Sequence, residues 1–421
     1  MNPPAPPEVA GASAGRERFP WKLATARGLF SFVVVAAVGQ LTPVLMNVFG
    51  AGLAWSTALK LGWFYALAFH RVGIEFGGLT GIHYRLSIAF LSGTAFAAWL
   101  LYREGRRVAA RTRSRAAAAA GAAIAPAYAA PFLLLTLLVH ADLVGLPLLS
   151  HVTRISGVVW QACLFPLVLA AVAGAAGGLV QALPRGSFLS ASLVGGWGML
   201  LAGLAAAIVA LLLVAALRPT GLSTYARVVG GHGLKPASLL LGHQALLLPN
   251  IAIDVLVPSM GGCVSVHGTG FAVAVVCPGR LPRLDATDLV RASGSAIGGT
   301  RPPPLSRPMP FGYLALGLVP AVATIWGGRS AASRVERPED RLAAGVASGV
   351  VFALLIGAAS WLAGVTLRLE SSVTLGPRPL LSVMLALAWG VAGGVVGALL
   401  ARRQLPVVPE DEPAPPRPTS V

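Results

Sequence analysis

His243, Asn250 and Asp254 stand in one largely apolar run, LLLGHQALLLPNIAIDVLVPS. Their spacings of seven and four residues put them on one stripe of a helix that turns about 100° per residue. Inserting a carboxylate at the centre of a membrane costs on the order of 3 kcal/mol. The stripe therefore asks for a facing partner, and it is the candidate site for a proton, an ion or a polar ligand. The structural alternative is a polar cluster that ties helices together. Pro249 interrupts the same run, Gly261 and Gly262 mark a tight turn after it, and Gly268 and Gly270 break the next short apolar stretch. Paired interruptions of this kind are how broken helices and re-entrant hairpins are written in membrane sequences.

Other chemistry-bearing patterns are weaker. There is no HExxH and no Walker A loop. A formal GxSxG at Gly11, Ser13 and Gly15 lies in a polar, Pro-rich stretch without the strand and helix of a nucleophile elbow. His140 and His151, with Asp142 and Arg154 near them, could hold a cation. Two histidines and one carboxylate on a loop are a poor metal set, so they read as polar residues at helix ends. Cys163, Cys263 and Cys277 show no CxxC spacing and indicate neither a zinc site nor a disulfide framework. The expectation is a protein that is not an enzyme, with no cofactor and no metal.

The elements that must carry these residues are dictated by composition. The 421 residues are 56% hydrophobic and 11% charged, with a mean hydropathy of +0.75, so the chain needs lipid as its solvent. Its apolar blocks have the length of membrane-crossing helices and lack the alternation of a barrel. The expected fold is an all-α polytopic membrane protein, a bundle of about ten transmembrane helices plus one interfacial helix. Nine blocks are clear: 28–48, 86–102, 117–139, 158–180, 193–217, 239–257, 311–327, 342–367 and 380–401. The stretch from Gly52 to Phe69, with Lys60 among Trp55, Trp63 and Tyr65, suits the interface. The stretch from Gly262 to Cys277 is ambiguous and is taken as the tenth crossing. Residues 1–26 and the Pro-rich 404–421 read as disordered cytoplasmic tails flanking a membrane domain at 27–403.

The net charge of +17 comes almost wholly from arginines between the blocks. On a membrane protein such residues set orientation and meet anionic lipid headgroups; nucleic acid is not the expected partner. Arg16, Arg18, Lys22 and Arg27 place the N-terminus in the cytoplasm, on the same side as Arg103, Arg106, Arg107, Arg111, Arg113 and Arg115. Both termini are then cytoplasmic and the chain is a multi-pass protein of the cell membrane. Small-xxx-small pairs such as Gly174 and Gly178, or Gly390 and Gly394, predict close helix packing. Gln40, Asn47, Gln161 and Ser360 read as interhelical hydrogen-bond partners. No repeat of fixed period is visible.

The run Leu246-Leu247-Leu248-Pro249-Asn250, the Gly261-Gly262 turn and Gly268-Thr269-Gly270 resemble the PerM-like family of actinobacterial integral membrane proteins associated with cell division. Tyr102 to Arg107, YREGRR, also looks like that family. The resemblance implies a non-enzymatic envelope protein that supports or stabilises division machinery, with other membrane proteins as partners. The alternative is a secondary transporter or channel with a broken-helix site around Asn250 and Asp254.

Overall fold

The computed structural model describes residues 19–48, 54–78, 83–112, 116–142, 152–184, 186–217, 245–268, 271–278, 280–282, 306–308, 315–369 and 371–402. The chain divides into two compact units, one of residues 1–183 and 229–246, the other of residues 184–228 and 247–421. Both are mostly helical, as the apolar blocks require.

In the first unit, α1 (Trp21–Met46) is followed by the short α2 (Trp55–Ala68) and a hairpin of β1 (Ile74–Gly78) and β2 (His83–Ser87). Then come α3 (Leu91–Ala109), α4 (Ala117–Ala122), α5 (Ala125–Leu138), strands β3 (His140–Asp142) and β4 (Val152–Gly157), and α6 (Val159–Ala182). Pro126, at the start of α5, cannot donate to the preceding turn, which divides one apolar block into α4 and α5. The strands pair antiparallel in the order β3-β4-β1-β2. On β1 and β2 the Phe76 and Tyr84 rings stack at 4.8 Å, and Arg85 donates to Glu75 across the same pair. Cross-strand contacts of this kind stabilise a short hairpin.

The second unit repeats this order. It has α7 (Phe188–Leu217), the short α8 (Ala245–Ser259), a hairpin of β5 (Val264–Gly268) and β6 (Phe271–Val276), and the small strands β7 (Arg280–Pro282) and β8 (Ser306–Pro308). Then follow α9 (Leu318–Ala332), α10 (Asp340–Ala363), β9 (Val365–Arg368), β10 (Ser372–Pro377) and α11 (Pro379–Arg402). The strand order β9-β10-β5-β6 is that of the first unit. The match extends to single residues: Trp55 and Ala245, Arg71 and Gly261, and Ile74 and Val264 stand at one constant offset. The helices α6 and α11 each have 24 residues and each starts two residues after its strand.

Two local devices recur. The short helices α2 and α8 both end in a Schellman turn. In the first, Val72 N–H donates to Leu67 O at 3.2 Å; in the second, Gly262 N–H donates to Val257 O at 3.0 Å. The left-handed residue this turn needs is Arg71 (φ 59°) in one unit and Gly261 (φ 106°) in the other. Second, three helices cross at three glycines in each unit. A Cβ on Gly105 or Gly121 would fall on the backbone of Gly174, and one on Gly328 or Gly345 on that of Gly394. One turn on, Gly177 faces the Tyr102 carbonyl and the Arg106 N–H, and Gly397 faces those of Ile325 and Arg329. The small residues thus serve packing inside each bundle, where apolar side chains gain nothing from leaving lipid and close backbone approach holds helices together.

Two expectations need correction. The stretch Gly262 to Cys277 is not a helix: it is the β5–β6 hairpin, and its β-branched residues alternate along pleated strands. Cys263 and Cys277 flank that hairpin and are joined in a disulfide, which the sequence reading did not anticipate; Cys163 is free. The stretch Gly52 to Phe69 contains the short helix α2, with Lys60 exposed. Its C-terminal half is buried, and Trp63 stacks on Phe132 of α5 at 5.3 Å. Six helices among the described residues are long and apolar enough to cross a membrane: Trp21–Leu45, Ala117–Leu138, Val159–Ala182, Phe188–Leu213, Asp340–Ala363 and Pro379–Ala401.

Candidate functional site

Of the polar stripe, His243 lies outside the described residues. Asn250 and Asp254 sit one turn apart on α8. Asn250 is buried, while Asp254 is half-buried with its Oδ1 enclosed and without a hydrogen-bond partner among the described residues. Pro249 stands inside α8, where it removes an intrahelical N–H donor, yet the helix runs on across it from Ala245 to Ser259. Pro249, Gly261, Gly262 and Gly268 therefore belong to one helix–turn–strand segment, with Gly270 outside the described residues. The corresponding segment of the first unit carries Lys60 and Phe64 where this one carries Asn250 and Asp254. The acidic position is thus not needed to build the segment.

The first unit has its own polar centre, which sequence reasoning missed. The Schellman turn after α2 carries His70 inward, 3% exposed. Its Nδ1 lies 2.8 Å from the Ala66 carbonyl oxygen, which can only accept, so Nδ1–H donates. Nε2 then accepts from the Tyr128 hydroxyl at 2.7 Å. Phe132 packs on the imidazole at 4.6 Å between ring centres. Next to it, Gly73 N–H donates to Gln161 Oε1 at 2.6 Å, which ties α6 to the turn before β1 and not to another helix; Ser360 Oγ has no partner among the described residues. Burial lowers the Arg71 guanidinium to about 10.

Burial outweighs the Ala66 hydrogen bond and pushes the His70 imidazole down to about 4. Because this pKa is depressed on folding, the unfolded chain takes up a proton below about 6.5 that the folded chain refuses. The stability that neutral His70 contributes is complete above that pH. It is lost as the pH falls towards 4, with a ceiling of roughly 3 kcal/mol. Thermal unfolding in detergent between pH 7.5 and 4.5 should show the wild-type midpoint falling with pH and a shallower fall for His70→Gln. An identical slope in both would remove His70 as the cause.

At the other end of α3 is the basic cluster. Arg103 lies over the Trp99 ring at 5.6 Å and Arg106 over Tyr102 at 5.9 Å. Arg106 also donates through Nε and Nη2 to Gln181 Oε1. Glu104, fully buried, is paired with Arg107 at 2.6 Å and with Arg27 of α1 at 3.3 Å. Arg111 borders the same surface; Arg113 and Arg115 lie outside the described residues. Glu104 could have been singled out as the one acid in YREGRR, whereas nothing local in the sequence marks His70.

His140 and Arg154 are both exposed, on the paired strands β3 and β4, and His151 lies outside the described residues. No group of three or more metal-ligating side chains occurs among the described residues. Compared with known proteins, the chain matches no family model, no curated protein and no solved structure.

Proposed function

We propose that the chain is a non-enzymatic protein of the bacterial cytoplasmic membrane that supports division or envelope machinery by holding other membrane proteins. The observation that carries this reading is the duplicated build: each unit closes its helices backbone to backbone at glycines and gathers its ordered strands at one end. This is the economy of a scaffold that presents a surface. The PerM-like resemblance supplies the link to cell division.

The same duplication favours eight crossings in place of ten. The helix α3 has 19 residues, or about 28 Å at 1.5 Å per residue, and α9, its counterpart, is prolonged at its start by a 3₁₀ turn. Both join the six long helices, while α2 and α8 are short elements at the strand ends. Two lines of support agree on orientation. The ends of α3 and α9 away from the strands carry Arg103, Arg106, Arg107 and Arg111, and Arg329 and Arg334, as a cytoplasmic side would. The strand end of the second unit carries a disulfide, which persists on an oxidising side. Both termini are then cytoplasmic and the hairpins extracytoplasmic.

A second reading, an ion- or proton-coupled transporter, is favoured by Asp254 Oδ1, enclosed and without a hydrogen-bond partner among the described residues. One comparison separates the two. Deleting the protein from its host, then restoring wild type or Asp254→Asn, should lower and then equally restore the level or septal placement of a division protein. Unchanged division proteins in the deletion strain would sink the first reading. An ion flux in vesicles that Asp254→Asn abolishes would select the second.

A further inference from the structure

The basic surface at the end of α3 is more than a solvated helix end. Two adjoining clefts share Arg107 and Ala110: one is bordered by Trp99, Tyr102, Arg103 and Arg106, the other by Arg27 and Arg111. Five guanidinium groups therefore surround a surface beneath which Glu104, the one carboxylate there among the described residues, is buried. Four of the five are held in place before any ligand arrives. Arg103 and Arg106 rest on aromatic faces, Arg106 is also fixed by Gln181, and Arg107 and Arg27 are gripped by Glu104. Fixing cationic groups in advance removes much of the ordering cost of binding an anion.

The fold does not require this arrangement. The repeated unit keeps the glycine crossing and keeps Arg329 where the first has Arg106. It places Trp326 at the position of Arg103, Gly327 at that of Glu104 and Ser330 at that of Arg107. One half thus shows what the scaffold needs, and the other carries an added charge cluster. Arginine's planar fork matches phosphate oxygens in pairs. Exposed Trp99 beside it is the side chain that settles at headgroup depth, with its ring in the acyl boundary. Basic pockets at the cytoplasmic ends of membrane helices bind anionic headgroups.

We propose that these joined clefts bind an anionic phospholipid bearing two phosphates, a diphosphatidylglycerol, with one phosphate beside Arg103 and Arg106, the other beside Arg27 and Arg111, and Arg107 between them. The aromatic rim receives the glycerol and the first acyl carbons. The assignment does not depend on which envelope protein, if any, the chain holds.

The test uses the purified full chain in detergent, with binding read by native mass spectrometry and by thermal shift. The probes are diphosphatidylglycerol, phosphatidylglycerol, phosphatidylethanolamine and inorganic pyrophosphate. Diphosphatidylglycerol should bind at least tenfold more tightly than phosphatidylglycerol, and pyrophosphate should not compete with it at equal concentration. The variant Arg103→Gln/Arg106→Gln, which leaves the Glu104 ion pairs untouched, should keep the wild-type unfolding midpoint without lipid and lose the preference. Equal binding of all three lipids, or a preference unchanged in the variant, would overturn the assignment. Competition by pyrophosphate at equal affinity would also overturn it, by making the surface a site for soluble anions. If the variant unfolds, Arg111→Gln alone, on the exposed rim, should weaken diphosphatidylglycerol at least threefold and phosphatidylglycerol little; an equal effect on both is the opposing result.

Discussion

Gly174→Val and Gly394→Val are each expected to leave little folded protein in the membrane, and to do so to the same degree. At both positions a new Cβ would land on backbone: the Gly121 carbonyl for one, the Gly345 carbonyl for the other. Ordinary overpacking of a core costs about 1–3 kcal/mol because side chains can shift. Here the obstructing atoms are main chain on a neighbouring helix, so the helices must separate. Separation removes the close approach that holds them in lipid, and the loss should exceed that range. Gly317→Ala is the control, since a Cβ there has nothing within 4 Å. The amount of monodisperse protein extracted into mild detergent is the readout. Wild-type yield from either valine variant would mean that the three-glycine crossing is not what closes the unit.

The buried carboxylate at Glu104 makes an asymmetric prediction. Its side chain is fully buried, whereas Arg27 and Arg107 are 36% and 42% exposed. Removing Glu104 frees two guanidinium groups that already reach water, so Glu104→Met should cost only about 1–2 kcal/mol of lost charge-assisted bonding. Removing both arginines strands an ionised group without a partner, a loss of about 3–5 kcal/mol. The double variant Arg27→Met/Arg107→Met should therefore melt well below Glu104→Met. The triple variant should recover most of the difference, because a packed apolar cluster needs no counter-charge. Equal midpoints for the double and triple variants would show that Glu104 finds other solvation.

The helices were legible because burial in lipid leaves its mark as apolar blocks long enough to cross a membrane. The hairpins were not. Ile74–Gly78 and His83–Ser87 are five residues each, and Leu86 runs on by hydropathy into the apolar block that follows. The run from Gly262 to Cys277 is apolar enough to pass for a crossing, since hydropathy in so short a run does not separate a period of 2 from one of 3.6. The duplication was hidden because its halves share little beyond backbone needs: Gly105 and Gly328, Gly174 and Gly394, Gly177 and Gly397. Where Arg71 and Gly261 fill the same left-handed position, even the turn signal differs. Asn250 and Asp254 were found from helical spacing on a run that does form a helix. His70 depended on a contact with Tyr128, 58 residues away, which no local pattern announces.

The disulfide between Cys263 and Cys277 also bears on the order of events during synthesis. Its two sulfurs are 14 residues apart, so the bond needs only the β5–β6 hairpin to emerge, not the helices that follow. In the proposed orientation it can close while α9, α10 and α11 are still being made. The oxidised pair then records that this segment has been exported, and it pins the chain on the far side before the last three helices insert. A ratchet of that kind would oppose backsliding while the remaining helices of the second unit insert.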